Sequence, residues 1–247
     1  MNQGRPFVII TSQRTGSTLL VRSLDSSPDI FCAGEIFYRG LGIHHPEVQY
    51  QYRYMGSRIL GRAVDSLWIR RRLEKHLAKF YADACDKSSA AGFKVMVSQL
   101  RKLPAILPFV LRERVTCFYL YRRDVFATAL SYYKAQRSGI YHGDRQRDHG
   151  EGSSIEVNAV DFRKIFDACR ADRDEILRLY ETLGGRLLEY EDLVDRWDEV
   201  IAAIGDALGL PALNVAKVLP RVDSSVGHVP VANEQALRKA CGAEATP

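Results

Sequence analysis

At 247 residues, with 46% hydrophobic and 26% charged side chains, the chain can bury one sizeable core, and nothing in its composition calls for a second domain. Its formal net charge of +5 is spread in short clusters such as Arg70-Arg71-Arg72 and Arg122-Arg123, which suits a small anionic ligand and lacks the dense basic stripe of a nucleic-acid surface. Five cysteines, Cys32, Cys85, Cys117, Cys169 and Cys241, are widely spaced with no CxxC pair, so neither a disulfide framework nor a zinc site follows.

Short apolar, β-rich runs alternate with longer amphipathic stretches, the pattern of βα units around a mostly parallel sheet. Residues 7–11 read as the first strand, 17–26 as the first helix and 30–33 as the second strand. Residues 39–61, rich in Tyr and Arg and carrying His44-His45, follow as a long loop. A helix over 66–85, a strand over 92–96, a strand over 115–121 with Cys117 as a buried thiol, and a helix over 124–137 come next. Residues 138–158 crowd Gly, Asp, Arg and His without apolar rhythm and read as a second long loop, or as a surface insertion. A helix over 160–182, a strand over 186–189 and a helix over 196–208 complete the pattern; Asp192 is expected to cap that last helix, and 236–247 to be a frayed tail. The expectation is a single domain over 1–247 with a three-layer α/β fold. Ligands in such sheets sit outside the carboxyl ends of the strands, so both loops are expected on the substrate side. No apolar run nears the roughly 18 to 20 residues of a membrane span, and Phe7 to Ile10 is too short for a signal peptide; the cytoplasm is the simplest address.

The segment Phe7-Val-Ile-Ile-Thr-Ser-Gln-Arg14-Thr15-Gly16-Ser17-Thr18-Leu-Leu is an apolar strand, a short polar loop and an amphipathic helix, the architecture of an anion cradle. Helix N-terminal amides lack internal partners and carry the positive end of the helix dipole, so a phosphate there gains several charge-assisted hydrogen bonds. Gly16 lets the backbone approach closely, Ser17 and Thr18 add hydroxyls, and Arg14 adds fixed charge. The residue after Gly16 is Ser17, not the Lys of the ATP-binding loop GxxxxGK[ST], which suggests a nucleotide with a different terminal group; a tight turn with no ligand is the plainer alternative.

A second strand-to-helix junction, Tyr121-Arg122-Arg123-Asp124, precedes Ser131 by two helical turns, so Arg123 and Ser131 can converge on one anion. Arg123 could equally form a surface ion pair with Asp124 or Asp144. For a general base, Glu35 follows the second strand and lies at the same carboxyl edge as the loop, unless it is a surface residue paired with Arg39. His44 and His45 are the alternative bases, although adjacent histidines in a polar loop are usually solvated. Lys94 could lean toward the transferred group or cap a sheet edge. No metal-ligand cluster is visible, and none is needed where Arg and backbone dipoles can do the charge work. Tyr50, Tyr52 and Tyr54 could stack on sugar rings or pack over the core.

The Arg14-Thr-Gly-Ser-Thr loop resembles the 5′-phosphosulfate loop of carbohydrate sulfotransferases, and Arg123 with Ser131 resembles their 3′-phosphate motif of an Arg and a Ser eight apart. Cys32-Ala-Gly-Glu35-Ile-Phe37, Gly92-Phe-Lys94-Val-Met96 and Leu188-Glu-Tyr190-Glu191-Asp192-Leu193 stand in the same order, so the likeness covers roughly residues 5 to 235. It is closest to bacterial enzymes acting on nodulation factors, lipopolysaccharide and trehalose glycolipids. The Pro that usually follows the 3′-phosphate Arg is absent, and no adenine-contacting motif can be assigned; residues 221–233 are a candidate for closing over the nucleotide. The resemblance implies a P-loop-like fold and a donor, 3′-phosphoadenosine 5′-phosphosulfate, held by Arg14, Thr15, Gly16, Ser17, Thr18, Arg123 and Ser131. It further implies a carbohydrate or glycolipid acceptor, Glu35 as base with Arg14 assisting departure of the phosphate, and allows a homodimer. Two rivals remain. A P-loop kinase for small molecules predicts the missing Lys, and a non-catalytic nucleotide-binding protein would tolerate loss of Glu35.

Overall fold

The protein is described by a computed structural model covering residues 4–37, 45–50, 62–138, 155–218 and 230–243. Strand β1 (Arg5–Thr11) runs through the middle of a five-stranded sheet of order β2-β3-β1-β4-β5. Its neighbours are β2 (Ile30–Cys32), β3 (Ala90–Met96), β4 (Thr116–Tyr121) and β5 (Arg186–Glu189), and every adjacent pair is parallel. Parallel strands require crossovers, so the carboxyl ends of all five gather at one edge.

The side-chain alternation of β1 assigns the layers. Val8 and Ile10 join Phe93 and Val95 of β3 under α2 (Arg62–Cys85), α4 (Ile106–Arg112) and α6 (Ala159–Leu183), which contribute Leu73, Leu77, Phe109 and Ile176. Phe7 and Ile9 join Phe118 and Leu120 on the other face under α1 (Ser17–Asp25) and α8 (Trp197–Leu208), which contribute Leu20, Leu24, Ile201 and Ile204. Burial on both faces explains why these strands are continuously apolar rather than alternating. Gly92 is required by this packing: a Cβ there would stand 2.4 Å from the Phe7 ring. The thiol of Cys117 is buried, as its apolar run implies.

Four features depart from the sequence reading. Two short helices, α3 (Val97–Lys102) and α4, occupy a stretch with no assigned element. Pro108 stands third in α4, where a missing N–H costs nothing because first-turn amides have no helical acceptor. Asp192 does not cap the last helix of the pattern; it lies inside a further helix, α7 (Tyr190–Asp195), and its carboxylate accepts from Arg196 at 2.7 Å. The expected second loop is helical at its start, because α5 (Val125–Ser138) runs to Ser138, and ordered at its end, where Asn158 caps α6 by accepting from Val160 and Asp161.

The fourth departure is the tail. Residues 234–241 form α9 (Glu234–Cys241) rather than a frayed end, because Leu237 and Cys241 are buried against Phe126 and Tyr133 of α5 and Phe162 and Phe166 of α6. A bridge between Ile155 and Val231 and a two-way contact of the Asn233 amide with Val157 tie this strap down. Of the candidate for closing over the nucleotide, 221–233, residues 221–229 lie outside the described residues, as do 39–44, 51–61 and 139–154 of the two expected loops.

Leu237→Ala should destabilise the protein by about 2–4 kcal/mol, the cost of a cavity in a core, read as a lower urea midpoint at unchanged slope. A frayed tail would give no shift.

Candidate active site

The loop after β1 is locked from below. Thr11 Oγ1 lies 2.8 Å from the Leu120 carbonyl and 2.7 Å from Thr15 Oγ1, and Thr15 Oγ1 lies 3.0 Å from the Ser12 carbonyl. This chain of buried hydroxyls fixes the loop to β4 and consumes the Thr15 side chain, so Thr15 can offer a ligand only its amide. Arg14 and Gly16 both sit in the left-handed region, at φ 62° and 75°. For Arg14 that conformation is strained, the kind of strain that loops retain at binding sites. Gly16 has a second reason: a Cβ would stand 2.7 Å from the Tyr190 ring. Gly16 is the N-cap of α1, no side chain caps the helix, and its first turn holds no acidic residue. The amides of Ser17, Thr18 and Leu19 therefore have no partner within the helix and form a candidate anion site.

Arg14 and Ser131 meet directly, with Arg14 Nε donating to Ser131 Oγ at 2.9 Å. The bond ties the loop after β1 to α5 and brings Arg14 of the first expected anion site to Ser131 of the second. Arg123, by contrast, is paired with carboxylates rather than with Ser131. Its Nε lies 2.9 Å from Glu189 Oε2 and 3.8 Å from Glu191 Oε2, with the side chain 61% exposed. Glu191 also accepts from the Arg123 and Asp124 amides at 3.3 and 3.4 Å, while Asp124 caps α5 through the Ala127 amide at 2.8 Å. An ion pair this exposed is worth about 0–1 kcal/mol, so the energetic cost of turning Arg123 toward a phosphate is small.

Arg122 was not singled out by spacing. Its guanidinium lies 4.5 Å from the centre of the Tyr190 ring, the ring that packs on Gly16, and its buried Nε has no hydrogen-bond partner among the described residues. A cation is thus shelved beside the loop. The sequence signal was only the doubled arginine; the partner ring comes from the first residue of α7, far along the chain.

Glu35 lies past β2, where the chain continues alongside β3 through the Lys94 amide and the Gly34 carbonyl at 2.8 Å. Its carboxylate is paired with Lys94, 3.1 Å from Nζ to Oε1, and accepts from Gln99 Nε2 at 3.0 Å. Lys94 does not cap a sheet edge: β3 lies between β2 and β1, and the Lys94 side chain is only 6% exposed. A buried cation at the carboxyl edge needs its carboxylate, and Glu35 supplies it. Arg39, the expected surface partner, is outside the described residues.

His44 also lies outside the described residues, but His45 is not solvated. Its ring sits 4.6 Å from Phe31, with Nε2 2.9 Å from Asp25 Oδ2 and Nδ1 2.8 Å from Glu47 Oε1. Both nitrogens face carboxylates, which occupies the lone pair that a base would use. Burial pushes its pKa down, and the hydrogen bonds to Asp25 and Glu47 outweigh it, so the net shift is upward. Tyr50 packs over the core, 4.9 Å from His76 and 5.8 Å from Phe37. Tyr52 and Tyr54 are outside the described residues.

A central strand, a tight polar loop and an uncapped helix in an all-parallel sheet with helices on both faces define a three-layer α/β protein of the P-loop-like class. Within that class, the chain belongs to the Stf0 sulphotransferase family, whose model matches residues 6–229, and sulfuryl transfer is the family's chemistry. No curated protein was found to match the chain. Among the described residues no cluster of His, Cys, Asp and Glu could hold a metal ion, and no helix is long and apolar enough to cross a membrane.

The raised pKa of His45 gives a pH dependence with a definite sign. The bonds of its cation to Asp25 and Glu47 contribute fully below the ordinary histidine pKa and are lost as pH rises through the raised folded-state value. His45→Gln should therefore melt lower than wild type at pH 6, by about 2–4 °C if the bonds are worth ~1 kcal/mol, and the gap should close by pH 9. A gap independent of pH would mean that His45 is neutral in the folded protein.

Proposed function

We propose that the protein transfers the sulfuryl group of 3′-phosphoadenosine 5′-phosphosulfate to a hydroxyl of a carbohydrate or glycolipid. The observation that carries this reading is the Arg14–Ser131 bond, because it sets the uncapped N-terminus of α1 beside the middle of α5, the helix that Arg123 precedes, and so suits a donor with two phosphates. In this reading the amides of Thr15 to Thr18 and the Ser17 and Thr18 hydroxyls receive the 5′-phosphosulfate, with Arg14 over it. Ser131 and Arg123 receive the 3′-phosphate, Arg123 leaving Glu189 to do so. ATP offers no phosphate at that second position.

The chemistry then asks three things of the chain. The cradle and Arg14 stabilise charge on the 5′-phosphate oxygen as it takes the electron pair of the breaking S–O bond, a preorganised electrostatic role. Glu35 takes the proton of the acceptor hydroxyl as its oxygen bonds to sulfur. Lys94, beside Glu35, faces the sulfuryl oxygens while charge redistributes across them. The released products are the sulfated acceptor and 3′,5′-adenosine bisphosphate.

Calorimetric titration without magnesium should show 3′,5′-adenosine bisphosphate binding at least tenfold tighter than ATP, with Arg14→Ala and Arg123→Ala each weakening it tenfold or more; equal or ATP-favoured binding would overturn the donor assignment. Glu35→Gln should keep bisphosphate affinity and lower kcat by about 10²–10⁴, the usual weight of a positioned base.

A further inference from the structure

Three groups hold Glu35 in addition to its own backbone geometry. Lys94 Nζ lies 3.1 Å from Oε1, Gln99 Nε2 donates to Oε2 at 3.0 Å, and Gln49 Nε2 donates to the Glu35 main-chain carbonyl at 3.1 Å. Of these, Gln99 has an orientation that can be deduced. An amide side chain presents an acceptor at one end and two donors at the other, and which end faces a carboxylate decides whether it attracts or repels. Gln99 Oε1 lies 2.9 Å from the Met96 amide nitrogen, which can only donate. The oxygen must therefore sit at that end, and the NH₂ end must face Glu35.

The Met96 amide is one of the donors at the start of α3 that have no helical acceptor, and Gln99 is the third residue of that helix, reaching back over its first turn. A helix-capping contact and a contact to the carboxylate thus share one side chain. If Gln99 turned its amide over, the Met96 N–H and the Glu35 carboxylate would both lose their partner. We propose that Gln99 is a positioning residue for sulfuryl transfer: anchored on the Met96 amide, it acts through Glu35 by fixing the plane of that carboxylate against Lys94. The inference rests on the reading of Glu35 as the base.

Gln99→Glu separates the two roles, since a carboxylate still accepts from Met96 but cannot donate to Glu35, whereas Gln99→Met removes both. At pH 8, with 3′-phosphoadenosine 5′-phosphosulfate as donor, trehalose as the probe acceptor and a parallel arm with water alone, kcat is read from release of the bisphosphate. Gln99→Glu should lose at least tenfold in kcat with the donor KM within twofold and the melting temperature unchanged. Combined with Glu35→Gln it should lose nothing further, because the two residues act as one unit. A crystal structure of Gln99→Glu with 3′,5′-adenosine bisphosphate should show the Glu35 carboxylate displaced, whatever the acceptor. A Glu35 left in place, kcat within twofold of wild type, or losses that multiply with those of Glu35→Gln would overturn the proposal. Full activity in Glu35→Gln itself would instead remove the base reading on which it rests, so the two failures are told apart.

Discussion

The carboxyl edge is arranged around the first-turn amides of α1, which have no partner within the helix. The first turn of α1 has no capping side chain and no acidic residue, and Gly16 brings it to the end of the central strand, where neighbouring strands can reach it from both sides. Leaving such donors unpaired costs stability, and the cost is contained because the surrounding polar groups are tightly paired. Thr11, Thr15 and the Leu120 carbonyl hold the loop from beneath, and the Tyr190 ring holds Gly16 from the side. These contacts fix the backbone of the loop at several points, and a loop so held has little left to order when it binds a ligand.

The charges around it fall into two kinds. Lys94 and Glu35 form a pair whose cation is almost fully buried, so neither can leave without stranding the other. Arg123 is exposed and held by two carboxylates in water, an arrangement that is easily exchanged. The fixed pair lies toward the proposed chemistry and the exchangeable one toward the proposed second phosphate. The proposed reaction would benefit from that division, with permanent geometry at the proposed base and exchangeable counter-charge at the proposed phosphate.

What could be read from the sequence was whatever is local. The strand over 186–189 is recovered residue for residue as β5, and the other strands differ only at their ends. The loop from Arg14 to Thr18 announces itself because strand, turn and helix are consecutive. The two short helices α3 and α4 were hidden by length and by prolines, and α7 by the acidic residues of its first turn, which look like a cap for the next helix. At the site, the contacts missed are those made across the sheet: Ser131 to Arg14, Arg122 to Tyr190, and Gln99 to Glu35. Each joins residues whose separation in the chain carries no periodic signal. Sequence placed Arg123 and Ser131 on one face by helical arithmetic, and the structure pairs Arg123 with the carboxylates of Glu189 and Glu191.

The contact between Gly16 and Tyr190 joins the first loop of the chain to the residue that follows its last sheet strand. The cradle therefore has its full wall only when the segment after β5 is in place, although the loop itself lies far earlier in the chain. A nascent or truncated chain ending before β5 would carry the complete loop and yet lack the aromatic wall that shapes it. Occupancy of the cradle is in this sense a report on the integrity of the entire sheet, and a ligand held there draws the equilibrium toward the folded chain as a whole rather than toward one local turn.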